Sequence, residues 1–197
     1  MGVNLRVCLE PPSCTPKAFR NIAQGCRPSG YPGRRATFGP VRYSAAMPQS
    51  LSNVLVHIVF STKERHPFLR NAALRVAMHR YLAAVSAQLR CPVIAVGGVE
   101  DHVHLLARQA RTMALAEWVK ELKRTSSLWV KDAPRESRIF QWQAGYAAFS
   151  VGQSQSAKVE RYIAQQEEHH RSVSFQDEFR TLLNRHEIAY DERYVWV

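Results

Sequence analysis

His102 and His104, separated by one apolar residue, have the spacing in this chain that best suits metal chemistry. On an extended strand alternate side chains point to the same face, so both imidazoles can reach one metal ion while Val103 faces the other way. Imidazole is the commonest metal ligand in proteins, and the adjacent Asp101 can accept a hydrogen bond from one ring. The alternative for so short a pattern is a pair of histidines satisfied by backbone or carboxylate contacts.

A second pair of residues, Tyr162 and Gln166, lies about 60 residues further along the chain. Four residues apart, they stack on one face of a predicted helix. Taken singly, such a tyrosine is more often a core residue and such a glutamine is usually only solvated. Combined with His102 and His104, Gln166 would complete a set of nitrogen and oxygen ligands that suits Mg²⁺ or Mn²⁺.

A phenol beside a metal ion indicates phosphoryl transfer. Attack by Tyr162 on a backbone phosphate keeps the phosphodiester as a phosphotyrosine link, which a later hydroxyl can reverse. A bound cation would polarise the phosphate and offset charge on its oxygens. We therefore expect strand cleavage that can be followed by rejoining. Tyr146 is the competing nucleophile, but its predicted strand position lacks a partner four residues away.

Further candidates flank these residues. His169 and His170 return to the helical face of Tyr162, where they could contact phosphate, carry protons or form the wet polar end of a helix. A basic cluster at i, i+3 and i+4 suits either a solvated face or contact with backbone phosphates, and we expect the latter. This cluster consists of Lys120, Lys123 and Arg124.

The composition favours an anionic partner. The 197 residues carry a formal net charge of +11, and the pI is near 10.0. Nucleic acid is favoured over a membrane, because no apolar run approaches the roughly 18 residues that span a bilayer. Residues 1–46 hold seven basic residues against the single acid Glu10, so six of the eleven net charges come from this segment. The remainder is only mildly basic.

The first 46 residues differ in character from the rest. They contain six of the ten prolines and five of the nine glycines, without helical or strand periodicity, and we predict a disordered extension. The abrupt change at Met47 favours the hypothesis that translation begins there. Three of the four cysteines also fall in this segment, which leaves Cys91 alone in the body. A disulfide framework is therefore not expected, and a reducing cytoplasm fits best.

From Met47 to the end, residues 47–197 predict one α+β domain. The order of elements is β-α-β-β-α-β followed by extra helices, which is the ferredoxin-like plan of an antiparallel sheet with helices on one face. His57 falls mid-strand and is predicted to be a packed core histidine. The predicted strands span 54–60, 93–99, 102–107 and 145–150, and the predicted helices span 71–89, 113–130, 156–170 and 175–185.

Four segments together resemble the single-tyrosine transposases of the HUH nuclease superfamily, which include insertion-sequence transposases and transposases associated with repetitive extragenic palindromes. The resemblance covers nearly all of 47–197 and leaves 1–46 unmatched. The segments are DHVHLL at 101–106, WVKELKRTSS at 118–127, YAAFSV at 146–151 and RYIAQQEEHH at 161–170.

The resemblance implies a role for each matched residue. His102 and His104 would be the metal-binding pair, Gln166 the third ligand, and Tyr162 the nucleophile that forms a 5′-phosphotyrosine intermediate in DNA transposition. The implied partner is single-stranded DNA with a hairpin near the cleavage site. Insertion-sequence members act as homodimers in which one tyrosine can serve the other subunit's histidines, whereas palindrome-associated members can be monomers.

Two other functions remain open at this stage. One is a non-cleaving or domesticated relative that binds hairpin DNA or RNA through its sheet and basic helix. The other is a phosphodiesterase that uses a metal-bound water, in which Tyr162 would be only structural.

Overall fold

The computed structural model describes residues 51–132 and 139–196, so the predicted extension 1–46 lies outside the described residues. Four strands, five α-helices and two short 3₁₀ helices (Lys63–Arg65 and Gln153–Gln155) make up this part of the chain. The strands are β1 (Val54–Ser61), β2 (Val93–Gly98), β3 (His102–Gln109) and β4 (Ala147–Val151). The helices are α1 (Ala72–Gln88), α2 (Leu115–Lys131), α3 (Ser156–Ala164), α4 (Gln166–His169) and α5 (Phe175–Arg185).

The strands form one antiparallel sheet in the order β2-β3-β1-β4. This order and the sequence β1-α1-β2-β3-α2-β4 confirm the predicted α+β, ferredoxin-like plan. β1 and β3 are central, and their pairing sets Val59 opposite His104 and His57 opposite Leu106. His104 therefore lies in one of the two central strands of the sheet.

One face of the sheet carries the main hydrophobic core, which α1 and α2 cover. Val103 and Leu105 point into this core, where Met78 and Leu82 of α1 and Trp118 of α2 are fully buried. These side chains form the apolar faces of the two helices. The side chain of Asn71 caps α1 by accepting a hydrogen bond from the backbone N–H of Leu74 at 3.1 Å.

The extra C-terminal helices pack on the opposite face. There, Phe175 and Phe179 of α5 pack with Val59 and Phe149, while Ile163 of α3 packs with strand residues nearer β2. The sheet is therefore covered on both sides, with α1 and α2 forming the single helical layer of the predicted plan. His102 and His104 point to the side of the C-terminal helices.

The helix predicted over 156–170 is interrupted. α3 ends at Ala164, and Gln165 adopts φ −100° and ψ 14° before the single turn of α4 begins at Gln166. The side chain of Gln166 is buried and hydrogen-bonded to Glu178, so the interruption comes directly before the glutamine that enters the protein interior. The prediction of one continuous helix was wrong, although Tyr162 and Gln166 still reach a common site.

Within 51–132 and 139–196, no helix combines the length and apolar character that crossing a bilayer requires. Cys91 is a free, buried thiol whose sulfur accepts a hydrogen bond from the backbone N–H of Ala110 at 3.3 Å.

Candidate metal and nucleophile site

A buried cluster of side chains lies between the central strand β3 and the C-terminal helices. His102 and His104 come from β3, His170 follows α4, and Glu178 belongs to α5. One ligand atom from each of these four residues lies within 4.8 Å of the other three. The two strand histidines have no exposed surface, and Glu178 is 3% exposed. Such a set of imidazoles and a carboxylate could hold a metal ion.

A partner side chain contacts Nδ1 of each strand histidine and orients the ring. Asp101 Oδ1 lies 2.7 Å from His102 Nδ1, as the sequence predicted for this carboxylate. His57 Nε2 lies 3.0 Å from His104 Nδ1. His57 is indeed buried, but it supports the site instead of packing in the α1 and α2 core. With Nδ1 occupied in both rings, each Nε2 is free to act as a metal ligand.

His170 repeats this arrangement from the helical side. Its Nδ1 donates to the carbonyl oxygen of Val173 at 2.9 Å. Its Nε2 lies 3.0 Å from Gln166 Oε1 and 3.1 Å from Glu178 Oε2. His169 is farther out, with Nε2 3.6 Å from Glu178 Oε1. Neither histidine is merely the solvated end of a helix.

Glu178 is the residue that ties the cluster together, and the sequence analysis missed it. Gln166 Nε2 donates to Glu178 Oε1 at 2.8 Å, and Glu178 Oε2 lies 3.5 Å from His104 Nε2. Burial opposes ionisation of this carboxyl, but the contacts with His104 and His170 outweigh it and hold the pKa of Glu178 well below its usual range. The carboxylate form is therefore the stable one in the site.

Tyr162 reaches the same carboxylate. Its hydroxyl donates a hydrogen bond to Glu178 Oε1, and its ring centroid lies 5.9 Å from that of His104. Burial, together with the negative charge of Glu178, raises the pKa of the Tyr162 phenol above its ordinary value. The phenol is thus protonated in the structure, and ionising it would require positive charge nearby.

The donor set fits a divalent cation. The Nε2 atoms of His102 and His104 face the oxygens of Gln166 and Glu178. A ring nitrogen that carries a lone pair has no N–H, so it cannot donate a hydrogen bond to these oxygens. His104 Nε2 is buried without a hydrogen-bond partner, and burial lowers the pKa of His104 to about 4, so the ring is neutral. Converging lone pairs of this kind are stabilised by a positive ion between them.

A glycine on β2 sets how closely α3 approaches the sheet. A Cβ on Gly97 would overlap the backbone oxygen of Ile163 and stand 2.9 Å from its Cγ2. Only a residue without a side chain allows this contact. Ile163 neighbours Tyr162, so Gly97 helps determine the depth at which the phenol enters the site.

The predicted basic cluster lies away from these residues. α2 packs on the other face of the sheet, so Lys120, Lys123 and Arg124 are not brought together with His102 and His104. Lys120 and Arg124 pair with acids on their own helix, and Lys123 Nζ donates to the carbonyl oxygens of residues 143–145 at 2.5 to 3.2 Å. Burial lowers the pKa of Lys123 to about 8.

Comparison with known proteins decides the family of this chain. The family model described as "Transposase IS200 like" matches residues 50–166, more than half of the chain. The chain belongs to the IS200-like transposase family. The matched segment of this transposase-family chain includes His102, His104, Tyr162 and Gln166, and it ends before His170 and Glu178.

Two solved structures are similar to this IS200-like family member. One is a protein of Deinococcus radiodurans R1 described as a candidate transposase, with 22% identity, a TM-score of 0.48 and coverage of 60% of this chain and 95% of that one. The other is a REP-associated tyrosine transposase bound to a REP hairpin, with 11% identity, a TM-score of 0.48 and coverage of 64% and 73%. No curated protein matches the chain.

Proposed function

We propose that this member of the IS200-like transposase family is a metal-dependent enzyme that cleaves and rejoins single-stranded DNA through a 5′-phosphotyrosine intermediate during DNA transposition. One observation carries the proposal. The hydroxyl of Tyr162 and the imidazoles of His102 and His104 meet at the carboxylate of Glu178 within one chain. A nucleophile and a set of metal ligands therefore share one buried site.

Five residues are the proposed ligands of Mg²⁺ or Mn²⁺. His102, His104 and Gln166 take the roles that the family resemblance implies, and the geometry adds His170 and Glu178 as further donors. An ion bound there would supply Lewis-acid stabilisation to a phosphate and positive charge near the phenol. Asp101 and His57 hold the outer nitrogens of the strand histidines, which keeps their Nε2 atoms aimed at the site.

In the proposed reaction Tyr162 exchanges one phosphodiester for another. Its oxygen bonds to the phosphorus of the scissile phosphate while the bond from phosphorus to the 3′ oxygen breaks. Glu178 Oε1, which accepts the phenol's hydrogen bond, is the proposed first acceptor of the phenolic proton. The carboxylate gives this proton up again, and the departing 3′ oxygen takes up one proton to become a hydroxyl, so the step gains and loses no net proton. Attack by a 3′ hydroxyl on the phosphotyrosine reverses these steps and joins the strands.

The proposed partner is single-stranded DNA with a hairpin, in keeping with the family, and the proposed location is the cytoplasm. Residues 47–197 would form the catalytic domain, with 1–46 as an extension. Because Tyr162 and the histidines meet within one chain, the site needs no second subunit to be complete, and a homodimer would be an assembly of complete sites. Lys120 and Arg124 would contact DNA remote from the scissile phosphate.

The test uses purified protein, Mg²⁺ and a labelled single-stranded oligonucleotide that carries a hairpin. We expect a covalent adduct that survives denaturing gels and disappears in Tyr162→Phe. Tyr146→Phe is the matched control, because Tyr146 is 39% exposed and lines no part of the metal and nucleophile site. Its adduct should be unchanged.

The other outcomes identify the alternatives. Free cleaved product that persists in Tyr162→Phe would indicate a phosphodiesterase that uses a metal-bound water. Binding without any cleavage would indicate a non-cleaving or domesticated protein that binds hairpins. Either result would overturn the proposal.

A further inference from the structure

A cleft beside Tyr162 extends outward from the site of the proposed chemistry and has the features of a nucleotide site. We propose that the cleft between α3 and α5 binds the nucleotide of the single strand that adjoins the scissile phosphate, with Lys158 and Arg185 contacting its phosphates. The inference rests on the proposed function, because it extends the same site outward along the DNA.

 The cleft opens directly onto the nucleophile. Its volume is about 630 Å³. Small-molecule sites in proteins measure about 300–1,000 Å³, so a single nucleotide fits. Tyr162 and Glu178 line the cleft, so a nucleotide bound there would place its phosphate next to the phenol.

Two cations line the cleft from opposite sides. Lys158 lies on α3 and Arg185 at the end of α5, and within the described part of the chain neither forms an ion pair. Their neighbour Arg180 on α5 is instead paired with Asp177 and Glu192. Glu178 is the only acidic residue among those that line the cleft, and it is held in the buried cluster. Cations without acidic partners are suited to contact the phosphates of a strand.

Aromatic surface is also available for a base. The ring of His186 stacks on Phe149, with centroids 4.5 Å apart and an interplanar angle of 26°, and His186 lines the cleft. Phe149 is buried, so the stacking surface in the cleft is the ring of His186, and histidine is among the rings on which unpaired bases stack. Cations on two sides and a ring between β4 and α5 together match the parts of a nucleotide.

The wall formed by α5 lies beyond the segment that matches the family model, which ends at residue 166. Arg185 and His186 are therefore features of this chain that the family match does not assign.

The test measures binding by fluorescence anisotropy in the Tyr162→Phe background, which prevents cleavage. The probes are a labelled hairpin with a single-stranded extension and the same hairpin without it. The double variant Lys158→Ala/Arg185→Ala should weaken binding of the extended probe on the order of tenfold. The slope of log binding constant against log salt concentration should become shallower by about 1.4, since each single-strand phosphate contact contributes about 0.7. Binding of the blunt hairpin should not change.

The matched control is Arg80→Ala/Lys131→Ala, which removes one arginine and one lysine from exposed positions on α1 and α2. This control should bind both probes as the parent does. Equal affinities of the two double variants for the extended probe would overturn the inference. An equal loss of affinity for both probes would also overturn it, because it would show that the cations contact duplex DNA.

A second measurement changes the DNA probe. A neutral methylphosphonate is placed at each phosphate of the extension in turn, and the position that weakens parent binding is identified. At that position the Lys158→Ala/Arg185→Ala variant should lose little further affinity, because the contact is already absent. Additive losses would contradict the inference. A parent protein that forms the adduct while failing these tests would leave the proposed function intact.

Discussion

The two faces of β3 place different chemistry on adjacent residues of one strand. Val103 and Leu105 face α1 and α2 in a core of aliphatic and aromatic side chains. His102 and His104 face the C-terminal helices in a cluster held by Asp101, His57 and Glu178. Both faces are fully buried at these positions. Burial alone therefore does not distinguish a structural face from a functional one.

The two faces differ in the interactions that stabilise their buried side chains. The apolar face gains free energy from removing nonpolar surface from water, and it requires only close packing. On the polar face each buried group needs a partner, because an unpaired polar atom costs about 1–3 kcal/mol. Among the described residues of this face, His104 Nε2 and His169 Nε2 lack one, and a cation between the strand histidines would satisfy His104. We expect substitutions on the two faces to separate activity from stability.

The largest effect should come from His102→Ala. Removing this imidazole deletes a proposed metal ligand, so the covalent adduct should be abolished, while hairpin affinity should change little because basic contacts dominate binding. Calorimetric titration with Mn²⁺ should show loss of metal binding, and circular dichroism should show a folded protein. Loss of hairpin binding together with the fold would point instead to a structural role.

The next effect comes from the other face of the same strand. Leu105→Ala removes a fully buried side chain from the main core, and we expect the free energy of unfolding to fall by about 2–5 kcal/mol. Urea unfolding measures this loss, and Mn²⁺ affinity below the transition should match that of the parent. A variant that keeps its stability but loses the metal would contradict the proposed division between the faces.

A smaller effect should follow from Gly97→Ala, which acts on the contact between the sheet and α3. The added methyl group cannot coexist with Ile163 in its present position, so α3 must move outward at a cost of about 1–3 kcal/mol. Adduct formation should fall more than metal binding, because Tyr162 lies on α3 and the strand histidines do not. Ala95→Gly on the same strand is a control that adds no atoms.

The sequence predicted the parts of this architecture that depend on local patterns. Alternation identified the shared face of His102 and His104, and apolar periodicity located α1 and α2. The sequence did not predict the break at Gln165, because no proline or glycine marks it and the break accompanies the burial of Gln166. Such long-range contacts have no local signal.

Glu178 was missed, although a signal for it exists. Phe175, Phe179 and Leu183 form the buried stripe of α5, and Glu178 lies within that stripe, three residues after the first of them. A carboxylate on the apolar face of an amphipathic helix must find partners or remain costly. This anomaly indicates a buried site, but identifying His104 and Tyr162 as the partners required the tertiary structure.

The smallest predicted effect concerns pH. Burial and the neighbouring His104 lower the pKa of His57 from 6.5 to about 3. In the unfolded chain this pKa returns to about 6.5, so between these values the unfolded chain binds more protons and the free energy of unfolding falls as the pH falls. Between pH 6.5 and 5.5 the free energy of unfolding of His57→Gln should therefore fall by about 1 kcal/mol less than that of the parent. Urea unfolding in EDTA measures this difference.

His79 on α1 provides the matched variant, because burial lowers its pKa to about 4 in the layer on the opposite side of the sheet. His79→Gln should reduce the acid sensitivity similarly and leave Mn²⁺ affinity unchanged. His57→Gln should weaken Mn²⁺ binding about 10–100-fold, since His104 loses the partner that orients its ring. Equal Mn²⁺ affinities in the two variants would show that His57 is only a packed histidine, and the functional face would then end at His104.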